Sequence, residues 1–271
     1  MERNWMEEVC ATYTWESPYN YVGSEKALST ALIGLRIFDP PLMGVADARD
    51  PLFEKMKEDS IIGQHALSPI DWLPQAKSVI SFFLPFSKKV RDSNKVVKGW
   101  PSQEWLHARI EGQAFVLDLC RYLESILKEA GYINNIPVTD PRFRMNDKPP
   151  HFTSNWSERH VAFVAGLGTF SLSKGLITEK GVAGRFGSIV TSLSLTADTR
   201  NYTEIDEHCN QCGACMENCP VNAISFEKGK NHEPCGTFLD ETAIKFNPRY
   251  GCGKCQVDVP CECNIPEKTV S

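Results

Sequence analysis

Two stretches of the chain have the hydrophobic pattern of β-strands. Residues 79–84 form a nearly continuous run of β-branched and aromatic side chains bounded by lysine and proline, as in a strand buried on both faces. Residues 188–195 alternate polar and apolar side chains, which predicts a strand. A basic stretch, residues 88–98, follows the first run and is interpreted as a solvated turn between a strand and a helix.

Helical periodicity appears in two other places. After Ser102, a typical helix start, apolar residues keep a roughly helical spacing until Gly131: Leu106, Ile110, Ala114, Leu117, Cys120 and Leu127. Cys120 lies on this stripe and is interpreted as a small buried hydrophobe. A shorter helix is predicted where Asn155 precedes Glu158 by three residues and Gly166 ends the pattern. Interleaved helices and strands of this kind predict an α+β fold.

Composition and charge limit the classes of function. The 271 residues are 42% hydrophobic and 23% charged, which is ordinary for a globular protein. The first residues are acidic and no apolar run is long enough to span a bilayer, so we expect a cytoplasmic protein with no membrane partner. The formal net charge of -5 makes nucleic acid an unexpected partner.

The cysteines are unevenly distributed and point to a specific chemistry. Nine of the 11 lie between residues 209 and 263. The run Cys209-x2-Cys212-x2-Cys215-x3-Cys219-Pro220 matches the bacterial ferredoxin pattern for [4Fe-4S] clusters. Three thiolates on one tight loop can hold three corners of a cubane, while the fourth cysteine joins a different cluster. The chain is therefore expected to hold two [4Fe-4S] clusters, and structural zinc is the less favoured alternative.

Eight ligands are needed and nine cysteines are available. One cluster takes Cys209, Cys212 and Cys215 with either Cys261 or Cys263, and Cys261 is preferred because it lies nearer the Cys252-x2-Cys255 pair. The other cluster takes four of the remaining five cysteines: Cys219, Cys235, Cys252 and Cys255.

The segment before the clusters carries a resemblance to known families. Residues 165–170 (Ala-Gly-Leu-Gly-Thr-Phe), 175–178 (Gly-Leu-Ile-Thr) and 187–191 (Gly-Ser-Ile-Val-Thr), with Gly181, Arg185 and the downstream cysteine order, resemble the epoxyqueuosine reductases and the reductive dehalogenases. This resemblance implies a nitroreductase-like α/β domain that binds cobalamin, residues 1–200, followed by a two-cluster ferredoxin-like domain, residues 201–271.

The resemblance also implies how the parts act. A base-off corrinoid would lie against two glycine-containing segments, with these contacts: Gly166, Leu167, Gly168, Thr169, Phe170, Ser171, Gly187 and Ser188. A low-potential donor such as ferredoxin or flavodoxin would pass single electrons through the clusters, cobalt would be reduced to a nucleophilic Co(I), and a nearby acid would complete reductive chemistry on a small-molecule substrate.

The catalytic aspartate position of the epoxyqueuosine reductases falls on Phe152, so another residue would have to donate the proton. The candidate catalytic residues are His151, Glu158, His160 and Arg185, and Asp140 and Asp147 lie in the same region. A histidine beside a helix start is more often a hydrogen-bonded structural residue, and Arg185 could equally form a surface ion pair.

Two alternatives to a corrinoid enzyme follow from the same residues. The loss of the aspartate position favours an electron-transfer or corrinoid-handling protein that acts on a protein partner. A flavin in the same fold ranks last, because the sequence has no phosphate-binding loop for it. The chain also lacks the C-terminal tRNA-contacting extension common in epoxyqueuosine reductases and the twin-arginine signal of respiratory dehalogenases, so neither named activity follows directly from the resemblance.

Overall fold

The computed structural model describes residues 3–146 and 152–267. The helices in these ranges are α1 (Arg3–Glu16), α2 (Pro51–Lys55), α3 (Pro69–Trp72), α4 (Lys88–Val96), α5 (Gln103–Glu129), α6 (Glu158–Val164), α7 (Ala214–Glu217) and α8 (His232–Lys245). The strands are β1 (Leu42–Asp47), β2 (Ser78–Pro85), β3 (Asn134–Asn135), β4 (Met145–Asn146), β5 (Thr153–Ser154), β6 (Gly168–Phe170), β7 (Leu176–Thr178), β8 (Gly184–Thr191), β9 (Ile224–Ser225) and β10 (Gly229–Lys230). The predicted mixture of helices and strands is confirmed.

A four-stranded antiparallel sheet in the order β1-β2-β8-β3 forms the centre of the fold. All eight residues of β2 are buried, because helices cover both faces of the sheet. On one face Ile80 and Ile189 belong to a core that includes Phe115 of α5. On the other face Val79 belongs to a second core that includes Val161 of α6.

The predicted strand at residues 79–84 and the long core helix are both present. Ser102 caps α5 by accepting a hydrogen bond from the Trp105 amide at 3.1 Å, and the chain turns at Gly131, whose φ is 88°. Cys120 is fully buried, and burial raises the pKa of its thiol well above the usual value. This cysteine is therefore part of the core, as its place on the apolar stripe predicts.

Two other boundaries differ from the prediction. The later strand, β8, runs from Gly184 to Thr191 rather than over residues 188–195. The residue preceding α6 is Ser157, because the Asn155 side chain is engaged by the backbone of Arg142 and Arg144 at 2.9 Å each.

The basic stretch at residues 88–98 is not the predicted turn, because most of it forms α4. Val90 and Asn94 lie one helical turn apart and are both fully buried, while the lysines face outward. The Asn94 side chain accepts a hydrogen bond from the Ser102 amide at 3.0 Å and donates one to the Cys252 carbonyl at 3.0 Å. The second partner is far away in sequence, so local charge alone did not reveal the helix.

The cysteine-rich segment packs directly on the sheet domain. The amides of Val182 and Ala183 donate to the carbonyls of Cys261 and Glu262 at 2.9 and 3.2 Å. Gly181 is required at this junction: its φ is 79°, and a Cβ would lie 2.4 Å from the backbone of Cys263. Among the described helices, none is long and apolar enough to cross a membrane.

Candidate active site

Four thiols surround one small cavity in the C-terminal part of the chain. They belong to Cys209, Cys212, Cys215 and Cys261. Burial, and then the proximity of the other cysteines, raise the pKa of the Cys215 and Cys261 thiols to about 12. Cys263 does not line this cavity; it is exposed, and its sulfur lies 3.6 Å from the Asn264 side-chain oxygen.

The first three thiols of this group are positioned by a loop that the sheet domain supports. The His208 amide donates to Thr169 Oγ1 at 2.8 Å, which fixes the loop entry against β6. Gly213 then adopts a φ of 80° immediately before α7, and this left-handed turn brings Cys215 back toward Cys209 and Cys212.

A second group of four thiols, in addition to the core residue Cys120, lines a larger cavity of about 750 Å3. Cys219 follows α7, Cys235 lies in the first turn of α8, and Cys252 and Cys255 lie in the following loop. Lys230 of β10 lines the same wall. Burial opposes its charge, but the thiols of Cys255 and Cys235 outweigh this and hold the pKa of Lys230 above its usual value.

The loop that carries Cys252 and Cys255 is held by residues of the sheet domain. Lys254 extends away from the thiols and donates to the Asn94 backbone oxygen at 2.6 Å. Gly253 has a φ of 67°, and a Cβ there would lie 1.8 Å from the Trp105 ring. The backbone of this loop therefore fits only in close contact with α4 and α5.

The rest of the large cavity is built from β8, α5 and the start of α6. Gly187 lies on its floor, and its missing side chain is explained by packing, since a Cβ would lie 2.5 Å from the Phe82 ring. Apolar side chains line much of the remaining wall: Val116, Leu117, Val138, Phe143, Phe186 and Phe238. A mostly apolar wall with a few convergent polar groups is typical of a cofactor or substrate site.

Glu158, the first residue of α6, is the only carboxylate among the described residues that line this cavity. Both of its carboxyl oxygens are buried without a hydrogen bond of normal geometry. Burial raises the pKa of Glu158 to about 7, although the polar side chains of Ser188 and Trp156 partly offset it. Ser188 and Trp156 are hydrogen-bonded to each other at 3.0 Å. A carboxyl group with this pKa can donate a proton near neutral pH.

Arg185 also lines the cavity, together with Arg109, which the sequence did not indicate as a site residue. The Nε and a terminal nitrogen of Arg185 both donate to the Gln113 side-chain oxygen, the former at 3.1 Å. Arg109 of α5 lies nearby, stacks over the Tyr250 ring at 4.5 Å and donates to the Tyr250 hydroxyl at 2.5 Å. Burial, and then the positive charge of Arg109, lower the pKa of Arg185.

Several other predicted site residues lie elsewhere. His160 is bonded to the Ser157 hydroxyl at 2.7 Å and packs on Phe170, outside the large cavity. Gly166 and Leu167 line a different cavity, of about 630 Å3, near α1. His151 lies outside the described residues.

The remaining predicted corrinoid contacts have local structural roles. Thr169 supports the cysteine loop, and Ser171 lines the small thiol cavity. Gly168 is a close backbone contact, because a Cβ there would lie 1.9 Å from the Ile177 carbonyl oxygen. The structure thus brings Glu158, Arg185 and Gly187 together with four thiols, with Ser188 just behind them, and separates them from the stretch between Gly166 and Ser171.

Comparison with known proteins finds relatives of this chain. Residues 202–225 match the model of a 4Fe-4S binding domain. Over 200 residues the chain is 26% identical to an epoxyqueuosine reductase of Staphylococcus aureus, covering 69% of this chain and 49% of that protein. The chain is thus similar to an epoxyqueuosine reductase over about two thirds of its own length.

Solved structures of an epoxyqueuosine reductase and of a reductive dehalogenase share the fold. An epoxyqueuosine reductase with an epoxyqueuosine-modified tRNA-Tyr stem loop matches with a TM-score of 0.52 and 20% identity, covering 83% of this chain and 62% of that one. The catabolic reductive dehalogenase NpRdhA, in complex with 3-bromo-4-hydroxybenzoic acid, matches with a TM-score of 0.54 and 16% identity, covering 84% and 30%. The predicted fold class, a cofactor domain with a ferredoxin-like region, is confirmed.

The chain spans about half the length of the curated relatives it matches. The expected [4Fe-4S] chemistry agrees with the 4Fe-4S binding domain matched by residues 202–225. The expectation that nucleic acid is not a partner gains no support from the comparisons, since one solved relative holds a tRNA stem loop.

Proposed function

We propose that the chain is a cobalamin-dependent iron-sulfur oxidoreductase that carries out reductive chemistry in the large cavity. One observation carries this proposal: the thiols of Cys219, Cys235, Cys252 and Cys255 line the same cavity as Glu158. An electron-transfer centre and a proton donor would thus face one reaction space. The domain division proposed from the sequence, residues 1–200 and 201–271, separates the cofactor fold from the cluster ligands.

The two thiol groups support two [4Fe-4S] clusters. Cys209, Cys212, Cys215 and Cys261 would hold the first cluster, and the group on the large cavity would hold the second. Members of both groups, including Cys215 and Cys255, pack in one core, and these two are close enough to interact electrostatically. We therefore propose that electrons from a ferredoxin or flavodoxin enter at the first cluster and reach the cavity through the second.

The cavity suits a large cofactor. Its volume of about 750 Å3 lies within the usual range for cofactor sites, and it combines apolar walls with an orphaned buried carboxyl group. Cobalamin bound here would supply a metal centre that accepts single electrons and reacts as a nucleophile. The glycines of β8 and the aromatic ring of Phe186 on the same strand would form one wall of this site.

Glu158 is proposed as the proton donor. In a hydrogenolysis, two electrons from the external donor and one proton replace a bond from carbon to a leaving group by a carbon–hydrogen bond, and the leaving group departs with its electron pair. The proton would come from the Glu158 carboxyl group, which is protonated below about pH 7. A modified nucleoside in tRNA and a free small molecule are the two substrate classes to compare, since one solved relative holds a modified tRNA stem loop.

The second candidate function is electron transfer or corrinoid handling for a protein partner. Phe152 favours it, because this residue stands at the catalytic aspartate position of the epoxyqueuosine reductases and its ring packs on His232 and Gly236 instead of supplying an acid. The burial of Glu158 within the cavity favours the oxidoreductase over this second candidate function.

The test begins with protein purified without oxygen and titrated with cobalamin. We expect iron and acid-labile sulfide in near-equal amounts and a corrinoid spectrum that changes to the base-off form on binding. Glu158→Gln should bind cobalamin normally but lose turnover with a chemical reductant. Absence of any spectral change on titration would overturn the proposal, and normal turnover by Glu158→Gln would remove Glu158 from it.

A further inference from the structure

Positive side chains outnumber negative ones on the wall of the large cavity. The cationic residues there are Arg109, Arg159, Arg185, Lys230 and Lys254, against the single carboxyl group of Glu158 among the described lining residues. A [4Fe-4S]2+ cluster with four thiolates carries about -2. Lys230, Lys254 and Arg159 each interact electrostatically with a thiol of the second group, so this charge would offset theirs. Among the described lining residues, Glu158 is then the only negative group left to offset Arg109 and Arg185.

Arg109 and Arg185 are the pair that faces this space from α5 and β8. Neither forms an ion pair with any described residue; their polar partners are the neutral side chains of Tyr250 and Gln113. The two guanidinium groups also repel each other. Two like charges in a partly buried wall are unfavourable unless a negative charge approaches them.

The neutral partners hold both groups in fixed orientations. Gln113 accepts two hydrogen bonds from one edge of Arg185, and the Tyr250 ring supports the plane of Arg109. The remaining guanidinium hydrogens have no described partner. A planar fork of donors held in this way matches the two oxygens of a carboxylate or phosphate group.

We propose that Arg109 and Arg185 together bind an oxyanion, a carboxylate or a phosphate, that a ligand brings into the large cavity; the identity of the ligand rests on the proposed function. Two sources share this chemistry. One is the substrate itself, which would then be an anionic molecule. The other is the phosphate in the nucleotide tail of the corrinoid.

Two titrations distinguish the sources. Cobalamin, which has the tail phosphate, and cobinamide, which lacks it, are titrated into the anaerobic iron-sulfur protein and followed by the corrinoid spectrum. If the tail is the source, Arg109→Gln and Arg185→Gln weaken cobalamin binding by about tenfold or more and leave cobinamide unchanged. If the substrate is the source, both corrinoids bind as before, and inorganic phosphate or benzoate binds the cobinamide-loaded protein about tenfold more weakly in the variants.

Controls separate a local effect from a general loss of structure. Arg121→Gln removes an exposed arginine from the same helix and should change none of these affinities. Arg185→Lys keeps the charge but loses the fork, and should bind the anion with intermediate affinity. Iron content and circular dichroism report whether each variant is folded.

The proposal is overturned if both glutamine variants bind cobalamin, phosphate and benzoate like the original protein, or if Arg121→Gln has the same effect. Failure of the proposed function is a different result. A protein that binds no corrinoid would contradict the function, while titration of phosphate into the corrinoid-free protein would still measure the arginine pair.

Discussion

Arg249, in the cysteine-rich segment, forms a two-point ion pair with Glu111 in the middle of α5. The nitrogen–oxygen distances are 2.5 and 2.7 Å, and both side chains are about 90% buried. His107 bonds to the same carboxylate at 3.0 Å. One buried carboxylate thus links the cysteine-rich segment to the long helix α5.

Removing one partner of this pair should be strongly destabilising. Arg249→Met leaves the Glu111 carboxylate buried without its countercharge, so the free energy of unfolding should fall by about 3–5 kcal/mol. Urea denaturation of the anaerobic protein measures this change. Glu54→Gln, which breaks an exposed ion pair with Lys57, is the control and should cost less than about 1 kcal/mol. Equal losses in the two variants would contradict the buried link.

The same pair predicts a pH dependence. Burial raises the pKa of Glu111, but hydrogen bonds and charge from His107 and Arg249 outweigh it and lower the pKa from 4.5 to about 2. Because the folded pKa is the lower one, this stabilisation is present above about pH 4.5 and is lost as the pH falls toward 2. Acid titration should therefore narrow the stability difference between the original protein and Arg249→Met. A constant difference down to pH 2 would be the contrary result.

Cys261 and Cys263 should behave differently when replaced. Cys261→Ser removes a thiol from the small cavity, so the protein should lose one of two clusters and about half of its iron and acid-labile sulfide. Cys263→Ser removes an exposed thiol outside that cavity and should keep both clusters. Iron and sulfide analysis of anaerobic protein decides between them. The reverse pattern would assign the eighth ligand to Cys263.

Glu158 should set the pH profile of turnover. Its pKa is raised to about 7, so a rate that needs the protonated acid should fall as the pH rises through 7. Glu158→Gln should lower the rate by about 10²–10⁴-fold and remove this limb of the profile. His160→Gln, outside the cavity, is the control and should keep the limb. Linkage also predicts that Glu158→Gln gains stability relative to the original protein as the pH rises from about 4.5 to 7, because the carboxyl group ionises in the unfolded chain over this range while the buried one still holds its proton.

Lys230 should raise the reduction potential of the second cluster. Its ammonium group interacts with Cys255 and Cys235, and a positive charge beside a cluster favours the reduced, more negative form. Lys230→Gln should lower that potential enough to change the ratio of reduced to oxidised cluster by about tenfold, which corresponds to about 59 mV. Potentiometric EPR titration measures both clusters. Lys228→Gln, exposed on the same hairpin, should shift neither. An unchanged potential in Lys230→Gln would contradict this prediction.

The parts of the fold that depend on neighbouring residues could be predicted from the sequence. The strand at residues 79–84 and α5 are set by local hydrophobic spacing, and the ligand run is fixed by loop geometry between Cys209 and Cys219. The helix α4 was missed because Asn94 is stabilised by Cys252 and Lys254, about 160 residues away.

The candidate site also has some residues that the sequence could indicate and others that it could not. Glu158 and Arg185 lie in segments that resemble the superfamily, so the sequence could point to them. Arg109 and Tyr250 are single polar residues in unrelated segments, and only the packing of α5 against the last loop brings them together. Gly166 follows the end of α6, which by itself accounts for its φ of 79°.

The contacts of the Cys252–Cys255 loop bear on how the protein matures. The Cys252 carbonyl and the Lys254 ammonium group both form hydrogen bonds with Asn94, and Gly253 lies against Trp105. A cluster-delivery protein would meet these two ligands in their final arrangement only after α4 and α5 have folded. Insertion of the second cluster is thus expected to be a late step in biogenesis, whereas the run around the first cluster is built largely on its own short loop.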